Sequence, residues 1–80
     1  MEHVTIEVRA AWDEEAKVWV ATSEDIDGLV VEAETMEALE PKVLNAISDL
    51  LELNGSLVKQ HEIPVHIMAE QIAKVVNPCY

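Results

Sequence analysis

From residue 3 to residue 11 the chain reads HVTIEVRAA, apolar and polar positions in strict alternation. Val4, Ile6, Val8 and Ala10 fall on one face and Thr5, Glu7, Arg9 and Ala11 on the other, the period-two pattern of a strand with one buried face. The acidic cluster WDEEAK interrupts the alternation, and VWVATS resumes it with β-branched and aromatic residues. The two runs predict a β-hairpin whose loop carries Asp13, Glu14 and Glu15. In EDIDG, which follows, Asp27 and Gly28 tolerate the positive φ of a tight reversal. LVVEAE then predicts a third strand, with Leu29, Val31 and Ala33 on one side and Val30, Glu32 and Glu34 on the other. The three strands read as an antiparallel meander.

The period changes after Glu34. Thr35 is a good N-cap, because its hydroxyl can accept a backbone N–H at the start of MEALEPKVLNAISDLLELNG. Glu37 sits in the first turn, where the helix dipole favours an acid. Leu39, Val43, Ala46, Ile47, Leu50 and Leu51 recur at three- and four-residue spacing, a single apolar stripe to lay on the sheet. Asn54 and Gly55 form a natural C-terminal stop. Pro41 interrupts this stripe, and it predicts a kink or a helix that begins near Glu40 after one loose turn.

Residues 56–62 read as a connector, and IPVHIMAEQIAKVV fits two patterns. As a strand, Ile63, Val65, Ile67 and Ala69 alternate. As a helix from Pro64, a stripe of Val65, Met68, Ala69, Ile72, Ala73 and Val76 appears, and periodicity alone does not decide between them. A strand returning to the sheet edge would widen the platform under the helix, so a strand is expected over residues 63–69. The predicted architecture is one α+β domain over residues 1–80. It is a two-layer βββαβ unit, an antiparallel sheet with one helix packed on one face.

Charge adds to this picture. Sixteen acids stand against five Lys and Arg, a formal net charge of −11 in 80 residues. Residues 1–53 hold fourteen acids and three basic residues, while residues 54–80 hold two of each. Phosphate backbones are bound through Lys and Arg, so direct nucleic-acid binding is disfavoured. A basic protein partner suits the surface better, although acidity also serves solubility alone. A chain this short buries only about 60–65% of its unfolded surface, which makes a homo-oligomer an expected state. No apolar run approaches the ~20 residues of a membrane span. The N-terminus lacks the basic and apolar regions of a signal peptide. Cys79 has no second cysteine to pair with. A cytoplasmic location is the expectation.

Candidate chemistry is sparse. His3, His61 and His66 have no helical i,i+4 partner, and one cysteine cannot build a structural zinc site, so no metal or cofactor is expected. Two glycines twenty-seven residues apart exclude a glycine-rich phosphate loop. Ser23 and Ser56 flank turns and Ser48 lies in the helix, positions that favour capping and solvation over nucleophilic use. Glu24, Asp25 and Asp27 lack the spacing of a calcium loop and read as solvated acids in a turn. His66 alternates with apolar neighbours and is expected on the outer face of its strand. Trp12 and Trp19 flank the hairpin loop, where indole rings on paired strands close a sheet. Trp19 lies opposite Val18 and Val20; if those valines face the helix, Trp19 faces outward as an interface anchor. The partner-interface candidates are accordingly Trp19, Glu14, Glu15, Asp25 and Asp27.

The stretch WDEEAKVWVATSEDIDGLVVEAETMEAL resembles the HicB-like antitoxin superfamily, and most closely a HicB-related bacterial family of uncharacterised function. The matching pieces are Trp12 and Asp13 at the first turn, residues 19–22, Asp25 through Gly28, Thr35 through Leu39, and LLELNG ending at Gly55. The resemblance covers residues 4–55 and, more weakly, 63–70. It implies a partial ribonuclease-H-like βββαβ fold. It also implies a non-enzymatic role, neutralising a small basic mRNA-cleaving toxin of the HicA type. Two departures stand out: no DNA-binding tail follows residue 70, and Pro41 interrupts the helix. Two alternatives are a metal-dependent nuclease or hydrolase using Glu7, Asp13, Asp25 or Asp27, and a dimeric small-ligand or scaffold domain.

Overall fold

The computed structural model describes residues 4–53 and 60–80. His3, Ser56 and the helix stop expected at Asn54 and Gly55 lie outside the described residues. The elements run β1 (Ile6–Asp13), β2 (Val18–Thr22), β3 (Val30–Ala33), α1 (Met36–Leu53) and β4 (Val65–Glu70). The strands form one sheet in the order β3-β2-β1-β4, with α1 on one face.

The first three strands are the expected antiparallel meander. The fourth corrects the expectation of a wholly antiparallel sheet: β4 runs parallel to β1, Ile6 opposite Val65 and Ala11 opposite Glu70. Chain direction explains it. Three strands reverse the chain twice, so β3 runs the way β1 runs, and α1 is the crossover that carries the chain back to the starting end, so the next strand runs that way too. A parallel neighbour requires such a crossover. The return is guided by Ile6 N–H, which donates to the Pro64 carbonyl at 2.9 Å, and by Gln60, whose side-chain amide bonds both backbone groups of Val4.

Thr35 caps α1 as expected, its Oγ1 accepting from Ala38 N–H at 3.0 Å. The helix begins at Met36, not near Glu40, and continues through Pro41. Proline removes one rung of the ladder, the bond to the Glu37 carbonyl. Glu37 and Pro41 are both exposed, so that carbonyl lies on the solvated side of α1 and water can satisfy it. The apolar stripe is realised, with Leu39, Val43 and Ile47 buried and Ala46, Leu50 and Leu51 packed beside them.

The sheet contributes Ile6, Val8, Ala10, Ala21 and Ala33 to the core, and the β2–β3 turn adds Ile26 and Leu29. Small residues at Ala10 and Ala21, paired across β1 and β2 and both fully buried, leave room for the helix stripe above them. Gly28 takes φ 87°, and a Cβ there would meet only Leu50 Cδ2 at 3.8 Å. Backbone conformation, not space, calls for glycine at this turn.

Candidate functional site

The hairpin tip is built by Asp13. Its Oδ1 accepts from Glu15 N–H at 3.0 Å and Ala16 N–H at 3.1 Å, and its carbonyl accepts from Lys17 N–H at 2.8 Å. Lys17 adopts φ 58° to close the loop. Glu14 receives two donors, Lys17 Nζ and Trp12 Nε1, each at 2.6 Å. The Lys17 hydrogen bond, then the Trp12 hydrogen bond, then the Lys17 charge hold the Glu14 carboxyl below its ordinary range. Because the folded value is depressed, the contribution to stability is present above the ordinary glutamate range. It is lost as pH falls through the lowered folded value. In an acid titration the Trp12 indole N–H resonance should shift with a midpoint below that ordinary range, and Glu14→Gln should abolish the transition. An unchanged indole shift across the acid limb would refute the contact.

At the opposite end of β1, side chains replace the strand ladder where β2 bends away. Ser23 Oγ donates to the Glu7 carbonyl at 2.6 Å, Asp25 Oδ2 accepts from Glu7 N–H at 2.9 Å, and Asp25 N–H donates to Ser23 Oγ at 3.1 Å. Buried Ile26 anchors the same turn. Asp25 therefore holds the turn against β1, while Glu24 and Asp27 are exposed.

The anticipated contact residues thus do not converge. Glu14 and Glu15 sit at one end of the β1–β2 hairpin and Asp25 and Asp27 at the other. Glu7 and Asp13 lie six strand residues, or about 20 Å, apart, beyond the span of one ion's ligands. Among the described residues no three His, Cys, Asp or Glu side chains come together to hold a metal ion. Trp19 is placed on the helix side of the sheet. It lies opposite Trp12 and Ala33, half-buried, its ring 5.4 Å from that of Trp12 in an edge-to-face pair at 62°. Val18 and Val20 take the outer face instead, so the condition for an outward Trp19 is not met.

The face away from α1 is open. Register places its side chains in rows across the sheet. One row reads Glu32, Val20, Ala11, Glu70, and the next reads Val30, Thr22, Arg9, Met68. The first row has two apolar residues at its centre and a carboxylate at each edge, across about 14 Å. Arg9 pairs with Glu70 at 3.4 Å, and exposed His66, on the outer face as expected, lies 4.0 Å from Glu7. At one corner a shallow cleft of about 210 Å³ opens between Glu7, Arg9, Thr22, Ser23, Asp25 and Met68. Val20 and Met68 are half-buried and Val30 is 67% exposed. The sequence signal for this face was the pairing of the two tryptophans, which fixes where Val20 points.

Residues 5–77 match the family described as Domain of unknown function (DUF1902). A hypothetical protein from the extremely thermophilic bacterium Thermus thermophilus has a similar solved structure, with 42% sequence identity and a TM-score of 0.68. The similarity covers 91% of this chain and 99% of that one. No curated protein matches the chain. Among the described residues no helix is long and apolar enough to cross a membrane.

Proposed function

The chain belongs to the family of domains of unknown function DUF1902, and from that premise we propose that it is a non-enzymatic protein-binding module. In this reading it is a HicB-like antitoxin or antitoxin-derived domain acting in the cytoplasm. Its partner is a basic protein such as a HicA-type mRNA-cleaving toxin. The observation that carries the reading is the outer-face row Glu32, Val20, Ala11, Glu70. An apolar centre framed by carboxylates offers a desolvatable contact inside a rim that steers positive charge toward it. The net charge of −11 strengthens the long-range attraction. The finer description of the fold, HicB-like and partial ribonuclease-H-like, belongs to the same proposal and is supported by the βββαβ order.

The test is co-expression of this chain with a small basic toxin of the HicA type, followed by co-purification at low ionic strength and a growth assay. A complex should form, weaken with added salt, and relieve the partner's toxicity. Val20→Arg should weaken it by about tenfold or more while leaving thermal unfolding close to wild type, since the position is half-buried on the open face. Absence of a complex at low salt would overturn the proposal, as would full affinity in Val20→Arg.

A further inference from the structure

Past β4 the chain runs without regular structure over residues 71–77 and closes in a turn in which Asn77 Oδ1 accepts from Cys79 N–H at 2.9 Å. This arm is strongly apolar yet solvated: Ile72, Val75 and Val76 are 92%, 91% and 89% exposed. The described chain measures 56 × 26 × 19 Å, about twice the ~27 Å length of an 18-residue helix such as α1. Three branched aliphatic side chains in water on one short segment mark a surface that is covered in use. Among the described residues the arm's backbone N–H and C=O groups also have no strand partner, as on any exposed edge.

Charge indicates what covers it. Residues 71–80 hold no acid and one lysine, Lys74, and they are the longest acid-free stretch in a chain of net charge −11. At the root of the arm lies a cleft of about 680 Å³, within the usual ~300–1,000 Å³ range of binding pockets. Its apolar wall includes Ala11, Trp12 and Ile72, its carboxylates are Glu14 and Glu70, already paired with Lys17 and Arg9, and the chain's own Lys74 lines it too. The arm cannot fill this cleft itself, because its own first residues form one wall.

We propose that the occupant is the arm of a second copy of this chain, docked reciprocally about a two-fold axis. Each arm lays its aliphatic residues against the other copy's Trp12 and Ala11 and brings Lys74 toward Glu14 and Glu70. Running beside the arm root that lines the cleft, the incoming arm gives the unpaired backbone groups a strand partner. The contact is self-complementary, as a two-fold interface must be. It also brings two strongly acidic bodies together through their longest acid-free segment. The cleft shares Ala11 and Glu70 with the outer-face row, whereas Val20, Val30 and Glu32 lie outside it, so this contact leaves the β2–β3 half of the open face free.

Sedimentation equilibrium of the full chain tests the proposal. The wild type should run as a dimer of 17.8 kDa, twice the 8.9 kDa chain. Ile72→Glu combined with Val76→Glu should weaken association about a hundredfold and yield the monomer. Its far-ultraviolet circular dichroism should keep the helix signal of α1 and lose only the small strand contribution of the paired arms, because both positions are exposed in the single chain. Lys74→Glu should weaken association by about tenfold and regain dimer when combined with Glu14→Lys. A wild type that stays monomeric at sub-millimolar concentration overturns the proposal, and so does a double-glutamate variant that dimerises as the wild type does.

Discussion

Leu39→Ala should destabilise the fold by about 2–5 kcal/mol, the range for emptying a fully buried leucine site. Leu39 has no exposed surface and ranks with Val8 and Val43 among the largest fully buried side chains. It sits in the first turns of α1, just past the Thr35 cap, where the helix stripe meets the sheet. The space does not collapse easily, since the core cluster that holds Leu39 includes Ala10, Ala21 and Ala33, whose side chains are already minimal. A domain of this size has only about 5–15 kcal/mol of stability in total, so the loss is a large fraction of it. Thermal unfolding should fall by roughly 8–40 °C, at about 4–8 °C per kcal/mol for domains of 60–100 residues. Leu53→Ala, at a helix position 81% exposed, is the control and should change stability by less than about 0.5 kcal/mol. A Leu39→Ala loss below about 1 kcal/mol would mean that α1 does not pack as described.

Much of this arrangement was legible in the residues. Ile6, Val8 and Ala10 alternate without ambiguity, and the stripe from Leu39 to Leu51 matches a helix laid on a sheet. Thr35 and Gly28 are chosen by backbone chemistry that does not depend on distant partners. The parts that were not legible are those set by register and direction. Reading the break in alternation at Trp12, instead of after Asp13, ends β1 too early and loses the phase that carries into β2. A one-residue slip moves every side chain of a strand to the other face, and so the sequence leaves open whether Val18 and Val20 or Trp19 face the helix. The direction of β4 depends on counting reversals through α1, which no local pattern displays. Pro41 misled for a different reason. Its rule concerns one hydrogen bond, whereas the helix is held by burial of Leu39, Val43 and Ile47 on its other side.

The candidate site was legible in character but not in place. Under the proposed function, acidity concentrated in residues 1–53 would attract a partner of opposite charge whatever the fold. Which carboxylates face that partner depends on pairing, because only register lines Glu32 and Glu70 up with Val20 and Ala11. Asp13 and Asp25, prominent as acids in the sequence, spend their oxygens on backbone N–H groups of the hairpin tip and of Glu7. A carboxylate next to an unpaired backbone donor is as much a structural residue as a charged one.

Trp19→Ala should separate the two roles its sequence position allows. On the helix side of the sheet the indole packs against the core and stacks edge-on with Trp12, so truncation should lower stability by about 2–4 kcal/mol, somewhat less than for a fully buried aromatic. The Trp12 pairing accounts for about 0.5–1.5 kcal/mol of coupling, measurable in a double-mutant cycle with Trp12→Ala by urea denaturation. The cycle must allow for Glu14, which loses a donor whenever Trp12 is removed. Repeating it on a Glu14→Gln background isolates the ring contact. An outward interface anchor would behave in the opposite way, losing partner affinity with little change in the denaturation midpoint. Trp19→Phe sharpens the contrast, because it keeps the ring packing and should recover most of the stability. If Trp19→Ala unfolds at the wild-type urea concentration, the tryptophan is not part of the core and the β1–β2 register that places it there is wrong.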